Sequence, residues 1–160
     1  MKRTRSNSGF TLIELALTAA VISIIVMIAW PALNGITAEM RLENTAKNIA
    51  AAMAYARDAS VFEGRRYRVN IDIFQRSFDL SVENDPVNEP GHYEKLRDSL
   101  TLGQKFPDDI EIKALSVREV NFEPDGTSED FRIFLSNQKN SEISVTINGA
   151  DGKCTVKRMS

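Results

Sequence analysis

One carboxylate stands where hydropathy leaves little room for it. Glu14 heads a run, Leu15 to Ala38, that holds no charged side chain. A carboxylate carried to the centre of a bilayer costs about 2.5–3.5 kcal/mol on insertion scales. Ionisable groups in membrane segments are functional candidates by default. The chemistry of Glu14 is that of a fixed anion and hydrogen-bond acceptor. It calls for a cationic partner, because a buried charge is tolerable when paired and costly when alone.

The remaining reactive groups are few. The single histidine, His92, follows Gly91 in a stretch marked by Pro86 and Pro90 and reads as a solvated loop residue. The single cysteine, Cys154, excludes an intrachain disulfide and reads as a small, half-buried strand residue. With one histidine and one cysteine there is no zinc cluster. No glycine-rich phosphate loop is present, and no Ser/His/Asp or Cys/His spacing stands out. Asp79, Glu83, Asp85 and Glu89 crowd near one loop, and calcium takes such oxygen ligands. Their spacing matches no calcium loop, so a solvated acidic loop is the expectation. No enzymatic activity, catalytic residue, metal or cofactor is therefore expected.

Two basic groups remain, Arg65, Arg66 and Arg68 after Gly64, and Lys153, Lys157 and Arg158 near the C-terminus. The second group is the candidate for binding DNA, but it is short and lacks interleaved aromatics. Alternating cations on an exposed strand explain it more simply. The chain carries 20 basic and 22 acidic side chains, a net charge of −2. Without Lys2, Arg3 and Arg5 the balance is 17 against 22, or −5. A mildly acidic body argues against non-specific nucleic-acid binding, and DNA is not an expected partner.

The elements that must position Glu14 are legible. Residues 1–9 are polar and basic. The apolar run that follows is about the length that spans a bilayer as a helix, with Leu15, Val21, Ile22, Ile24, Ile25, Val26, Ile28 and Trp30 as its anchoring side chains. The basic start stays cytoplasmic and the rest faces outward. Trp30 suits the far interface, and Pro31 removes a helix hydrogen bond and favours a kink. A secretory signal peptide needs a small-residue cleavage site after its apolar core, and residues 31–35 offer only weak ones. A plain signal anchor fits the hydropathy but leaves Glu14 without a reason.

Beyond residue 35, Leu42, Ala46, Ile49, Met53 and Ala56 recur at spacings of four and three, one face of an α-helix, with Gly64 as its stop. The segment from 64 to 160 reads as β. Residues 67–72 and 77–82 alternate as a hairpin. Residues 83–106 read as an irregular loop with a helical turn near Tyr93 to Leu96. Strand patterns return at 110–112, 120–122, 131–135, 143–147 and 154–156, with turns at 123–126 and 148–152.

Gly9-Phe10-Thr11-Leu12-Ile13-Glu14-Leu15, followed by an uninterrupted apolar run with Pro31 further along, closely resembles the class III, or prepilin, signal of type IV pilins and pseudopilins. The resemblance implies that a prepilin peptidase cuts between Gly9 and Phe10, and that Phe10 is then N-methylated. It implies that Glu14 meets the new α-amino group of a neighbouring subunit during assembly. In the C-terminal half, Phe106-Pro107-Asp108-Asp109-Ile110, Val120-Asn121-Phe122-Glu123-Pro124-Asp125-Gly126 and the hairpin around Asp151-Gly152 resemble the minor pseudopilin H and FimT-like group.

These resemblances imply an α+β, pilin-like fold: a long N-terminal helix, transmembrane in its first half, packed on antiparallel β-sheet. The expected organisation is a removable leader (1–9), a transmembrane and filament-core helix (10–35), the outer half of that helix (36–63) and a β-rich head (64–160). The implied role is that of an H-type minor pseudopilin of a type II secretion system, anchored by a single pass in a bacterial inner membrane with its head in the periplasm. Implied partners are the prepilin peptidase, other pseudopilins or pilins, the inner-membrane assembly platform and, before assembly, inner-membrane lipid. The alternative is a FimT-like minor pilin serving pilus assembly or DNA uptake.

Overall fold

A computed structural model describes residues 11–96 and 104–159, the side chains of 28–36 excepted. The chain divides into two compact units, Met1–Thr37 and Ala38–Ser160. Among the described residues one helix, α1, runs from Leu12 to Glu63. It begins at a capping threonine, Thr11, and ends at Gly64, whose φ of +64° supplies the left-handed residue that commonly closes a helix.

In the second unit α1 forms because its apolar residues fall on one stripe. Leu42, Ala46, Ile49, Met53 and Ala56 are all buried, the face expected from their spacing. Small alanines at 46, 52 and 56 let the sheets approach this stripe closely. The two hydroxyls buried beside them are satisfied by the helix itself. Thr45 Oγ1 donates to Arg41 O at 2.8 Å and Ser60 Oγ to Arg57 O at 2.7 Å.

Among the described residues, nine strands make two antiparallel sheets. Sheet A contains β1 (Tyr67–Asp72), β2 (Ser77–Asp85), β3 (Glu89–Lys95), β4 (Gln104–Lys105) and β6 (Glu119–Phe122). Its order is β3-β2-β1-β6, with β4 pairing a further part of β2. Sheet B contains β5 (Ile110–Leu115), β7 (Phe131–Asn137), β8 (Glu142–Asn148) and β9 (Lys153–Met159), in the order β5-β7-β8-β9. Period-two alternation sends Tyr67, Val69, Ile71, Leu80, Val120 and Phe122 of sheet A into one core with Ile133, Leu135, Val145 and Ile147 of sheet B and the α1 stripe. The architecture is α+β, as expected.

The β1–β2 turn is built by Asp72, whose Oδ1 accepts from the N–H groups of Phe74 and Gln75. It leaves Arg76 at a φ of +51°. From there the Arg76 guanidinium reaches the carbonyls of Pro107 and Ile110, each at 2.8 Å, and ties this hairpin to the start of β5.

The expected irregular loop from 83 onward is corrected in three places. Strand β2 continues to Asp85, and β3 returns beside it with Glu83 opposite Tyr93. The helical turn expected near Tyr93–Leu96 is strand and strand end, and His92 lies on β3. Residues 86–88 form the turn between β2 and β3, held by Asp85 Oδ1 accepting from the N–H groups of Val87 and Asn88. Pro90 and Gly91 misled because proline and glycine usually mark loops, whereas an edge strand tolerates both.

Candidate functional site

The first turn of α1 forms a reciprocal cap. Thr11 N and Thr11 Oγ1 donate to Glu14 Oε2 at 3.1 and 3.0 Å, and Glu14 N donates to Thr11 Oγ1 at 3.3 Å. The Thr-x-x-Glu spacing allows each side chain to satisfy the other's free N–H, and the negative charge sits where the helix dipole favours it. Glu14 is exposed and, among the described residues, meets no cation. It is therefore oriented, yet open to a further partner. The Ser/Thr-x-x-Glu pattern was the signal available in the sequence for this cap, and hydropathy alone did not reveal it.

Around Glu14 the helix is apolar on every side. Leu15, Val21, Ile22, Ile24, Ile25 and Val26 are all exposed, together with Leu12, Ile13, Leu17 and Met27. A helix apolar all round needs burial in protein or lipid, and exposed apolar surface of this extent marks an interaction face. Among the described residues, no helix is long and apolar enough to cross a membrane. Ile28, Trp30 and Pro31 continue the run among residues whose side chains lie outside the described set, although their backbone is helical. Gly9 and Phe10 also lie outside the described residues.

The expected solvated acidic loop is corrected as well. Asp79 pairs with Lys95 at 2.9 Å, and Asp85 is held by its own turn. Glu83 is 1% exposed. Its Oε1 accepts from Gly91 N at 2.7 Å, while Oε2 lies 4.0 Å from the Arg66 guanidinium. Arg66 in turn holds Glu123 at 2.8 Å, and Arg65 donates to the Glu83 carbonyl. Arg68 pairs with Glu119 at 3.0 Å and lies 3.7 Å from the centre of the Tyr93 ring. The cations after Gly64 are thus the clamp on the outer face of sheet A. Among the described residues, no three His, Cys, Asp or Glu side chains converge on a point that could hold a metal.

The basic tail is a strand, and the strand splits its cations. Lys153 and Lys157 share the outer face of β9, near Arg132 of β7. Arg158 alternates to the inner face, where it meets Glu39 of α1 at 3.1 Å. Lys153, Lys157 and Arg158 therefore form no single surface. Cys154 shares the inner face, half-buried as expected. Burial pushes its thiol up to about 11, the condition of an inert thiol.

Sequence reasoning missed a packing hub at the two turns. Gly126 (φ +85°) and Gly152 (φ +61°) meet over Arg57 of α1. The Ser60 hydroxyl, shared with the Arg57 carbonyl, also lies 3.0 Å from the Glu123 carbonyl, while Ser128 N donates to the Gly149 carbonyl at 2.9 Å and Gly149 N to Asp130 Oδ1 at 2.7 Å. The turn 123–126 is a structural joint between α1 and the β8–β9 hairpin.

Comparison with known proteins agrees with this geometry. Residues 45–151 match the family described as type II transport protein GspH. Residues 4–30 match the prokaryotic N-terminal methylation motif. No curated protein sequence matches. Two structures of the minor pseudopilin EpsH from the type II secretion system of Vibrio cholerae superpose with TM-scores of 0.61 and 0.58 at 12% and 11% identity. Each covers 75% of this chain, and 97% and 94% of EpsH. The type IV minor pilin FimU of Pseudomonas aeruginosa superposes with a TM-score of 0.53 at 14% identity, covering 76% of this chain and 92% of FimU. At these identities the likeness is one of fold, and the fold is pilin-like.

Proposed function

The chain belongs to the type II transport protein GspH family, and from that membership we infer that it is a minor pseudopilin of a type II secretion system. It is a structural subunit that works by docking to its neighbours. The observation that carries this reading is the conjunction of the family's head domain with an N-terminal methylation motif on one chain.

The finer steps follow from the residues. A prepilin peptidase cuts between Gly9 and Phe10, and Phe10 is methylated. The new α-amino group is charged near neutral pH and gives Glu14 of a neighbouring subunit a cationic partner. The segment 10–35 resides in the inner membrane before assembly, with Trp30 near the outer interface and the head in the periplasm. Leu15, Val21, Ile22, Ile24, Ile25, Val26 and Ile28 supply the lipid-facing and later filament-facing surface, and Pro31 supplies a kink. Residues 36–63 form the head's spine. Transfer from lipid to filament is favoured where Glu14 meets a neighbour's amine, because pairing relieves a charge that lipid penalises. Other pseudopilins and the inner-membrane platform are the partners of this step.

The experiment is expression of the full chain with and without a prepilin peptidase, followed by intact mass and N-terminal residue. The expected product begins at methylated Phe10 and appears only with the peptidase. A chain still starting at Met1, beside a control pilin that is cut, would leave only a signal anchor.

A further inference from the structure

The edges of the described sheets are unequal. Strand β3 carries Pro90 and Gly91 and breaks register against β2 between Glu83 and Asp85. Strand β5 breaks register against β7 between Ile112 and Ala114. Strand β6 is four residues long and runs into Pro124. Bulges, prolines and shortness are the ordinary devices that keep an edge from recruiting another strand. Strand β9 has no bulge or proline and is not short; its guards are charges, Lys153 and Lys157 on the outer face and Arg158 turned inward, which an acidic partner would neutralise. It pairs with β8 over seven residues, 153–159, in unbroken register, and no described strand pairs with its other side.

Beside this edge the core is left open. A groove of about 370 Å³ lies between the 39–47 turns of α1 and the inner face of β8 and β9. Leu42, Ile143 and Val156 make its apolar part, and the Glu39–Arg158 and Glu43–Lys47 ion pairs line the rest. Leu42 and Ile143 are buried, yet Val156, next to the open edge, is 37% exposed. A strand laid against β9 directs every second side chain toward α1, onto this groove. Its alternate side chains rise on the outer face beside Lys153 and Lys157, both on that face of β9.

We propose that β9 receives an extended partner segment in which apolar and acidic residues alternate. The apolar set enters the groove over Leu42, Ile143 and Val156, the acidic set pairs with Lys153 and Lys157, and main-chain hydrogen bonds supply the continuous contact. This surface is separate from the N-terminal signal, and the proposal does not depend on the chain's role in a filament.

The test uses the full chain in lipid nanodiscs and a synthetic peptide of alternating valine and glutamate. Two control peptides are the same composition in two blocks and an alternating valine–lysine sequence. Amide hydrogen exchange is read residue by residue. The expected result is about tenfold slower exchange at the outward-facing amides of 153–159 with the alternating valine–glutamate peptide only. Lys153→Glu with Lys157→Glu, both at exposed positions, should weaken that peptide at least about tenfold and let the valine–lysine peptide bind. Val156→Asp should abolish binding while the urea midpoint shows the head still folded. Absence of slowing at β9, or equal slowing by the block peptide, overturns the proposal. So does protection of β9 without peptide that rises with protein concentration, because a second copy would then hold the edge.

Discussion

Replacing Gly152 with alanine tests whether the two turns are one joint. Gly152 has a φ of +61°, and a Cβ there would lie 2.5 Å from the Gly126 carbonyl oxygen and 2.8 Å from Arg57 Cδ. A non-glycine residue in the left-handed region costs about 1–2 kcal/mol. Forcing a methyl against a backbone carbonyl adds about 1–3 kcal/mol, because the carbonyl belongs to a turn that is itself hydrogen-bonded. The sum is about 2–5 kcal/mol. Gly64 is the control: its φ is +64°, and nothing lies within 4 Å of its would-be Cβ. Gly64→Ala should therefore cost only the conformational part, about 1–2 kcal/mol. With a urea slope of about 2 kcal/mol/M, Gly152→Ala should lower the midpoint by about 1–2.5 M, against about 0.5–1 M for Gly64→Ala. The assay is urea unfolding of the full chain in detergent, followed by near-ultraviolet circular dichroism of buried Tyr67. Equal shifts for the two variants would mean that the turns part freely and that the hub is no joint.

Glu14→Ala should still insert and still be cut, but should assemble poorly; co-purification with wild-type subunits at normal yield would refute its docking role. Glu83→Gln should stay within about 1 kcal/mol of the parent, since it keeps an acceptor for Gly91 N and Arg66 keeps Glu123. Glu83→Ala should lose about 1–3 kcal/mol by stranding that N–H, and urea midpoints compare the two. Asp85, Asp125 and Asp151 are held below the usual carboxylate range, chiefly by hydrogen bonds from the Asn88 side chain, the Thr127 hydroxyl and the Lys153 N–H respectively. Depressed values mean that their contribution is present above the unfolded range near pH 4 and is lost as pH falls through the folded values. Stability measured from pH 7 to pH 2 should fall below about pH 4, and replacing all three with asparagine should flatten that decline. The Cys154 thiol should react with iodoacetamide at pH 8 far more slowly than free cysteine, and rapid labelling of folded chain would refute its burial.

What the sequence made legible was whatever repeats or stands out against its surroundings. The α1 stripe declared itself through Leu42, Ala46, Ile49, Met53 and Ala56, because burial on one helix face imposes a period that polar residues cannot share. The hairpins 67–82 and 143–156 declared themselves by alternation and by turn residues between them. Hidden were the features set by which strand lies beside which. Glu83 is acidic and sits among acidic neighbours, so composition places it in solvent. Only the pairing that brings Gly91 N and Arg66 to it makes burial tolerable. Arg158 follows Lys157 directly, and the expected strand sends such neighbours to opposite faces, but the sequence does not say which face meets α1. The same parity places Val156 and Arg158 over the groove and leaves Lys153 and Lys157 outside it. The lysines of 153–159 suit an edge but do not by themselves say which side of the strand lies open. That is a property of the sheet order, here β5-β7-β8-β9. Only that order exposes the 153–159 edge, and from it the chemistry of the proposed strand partner follows.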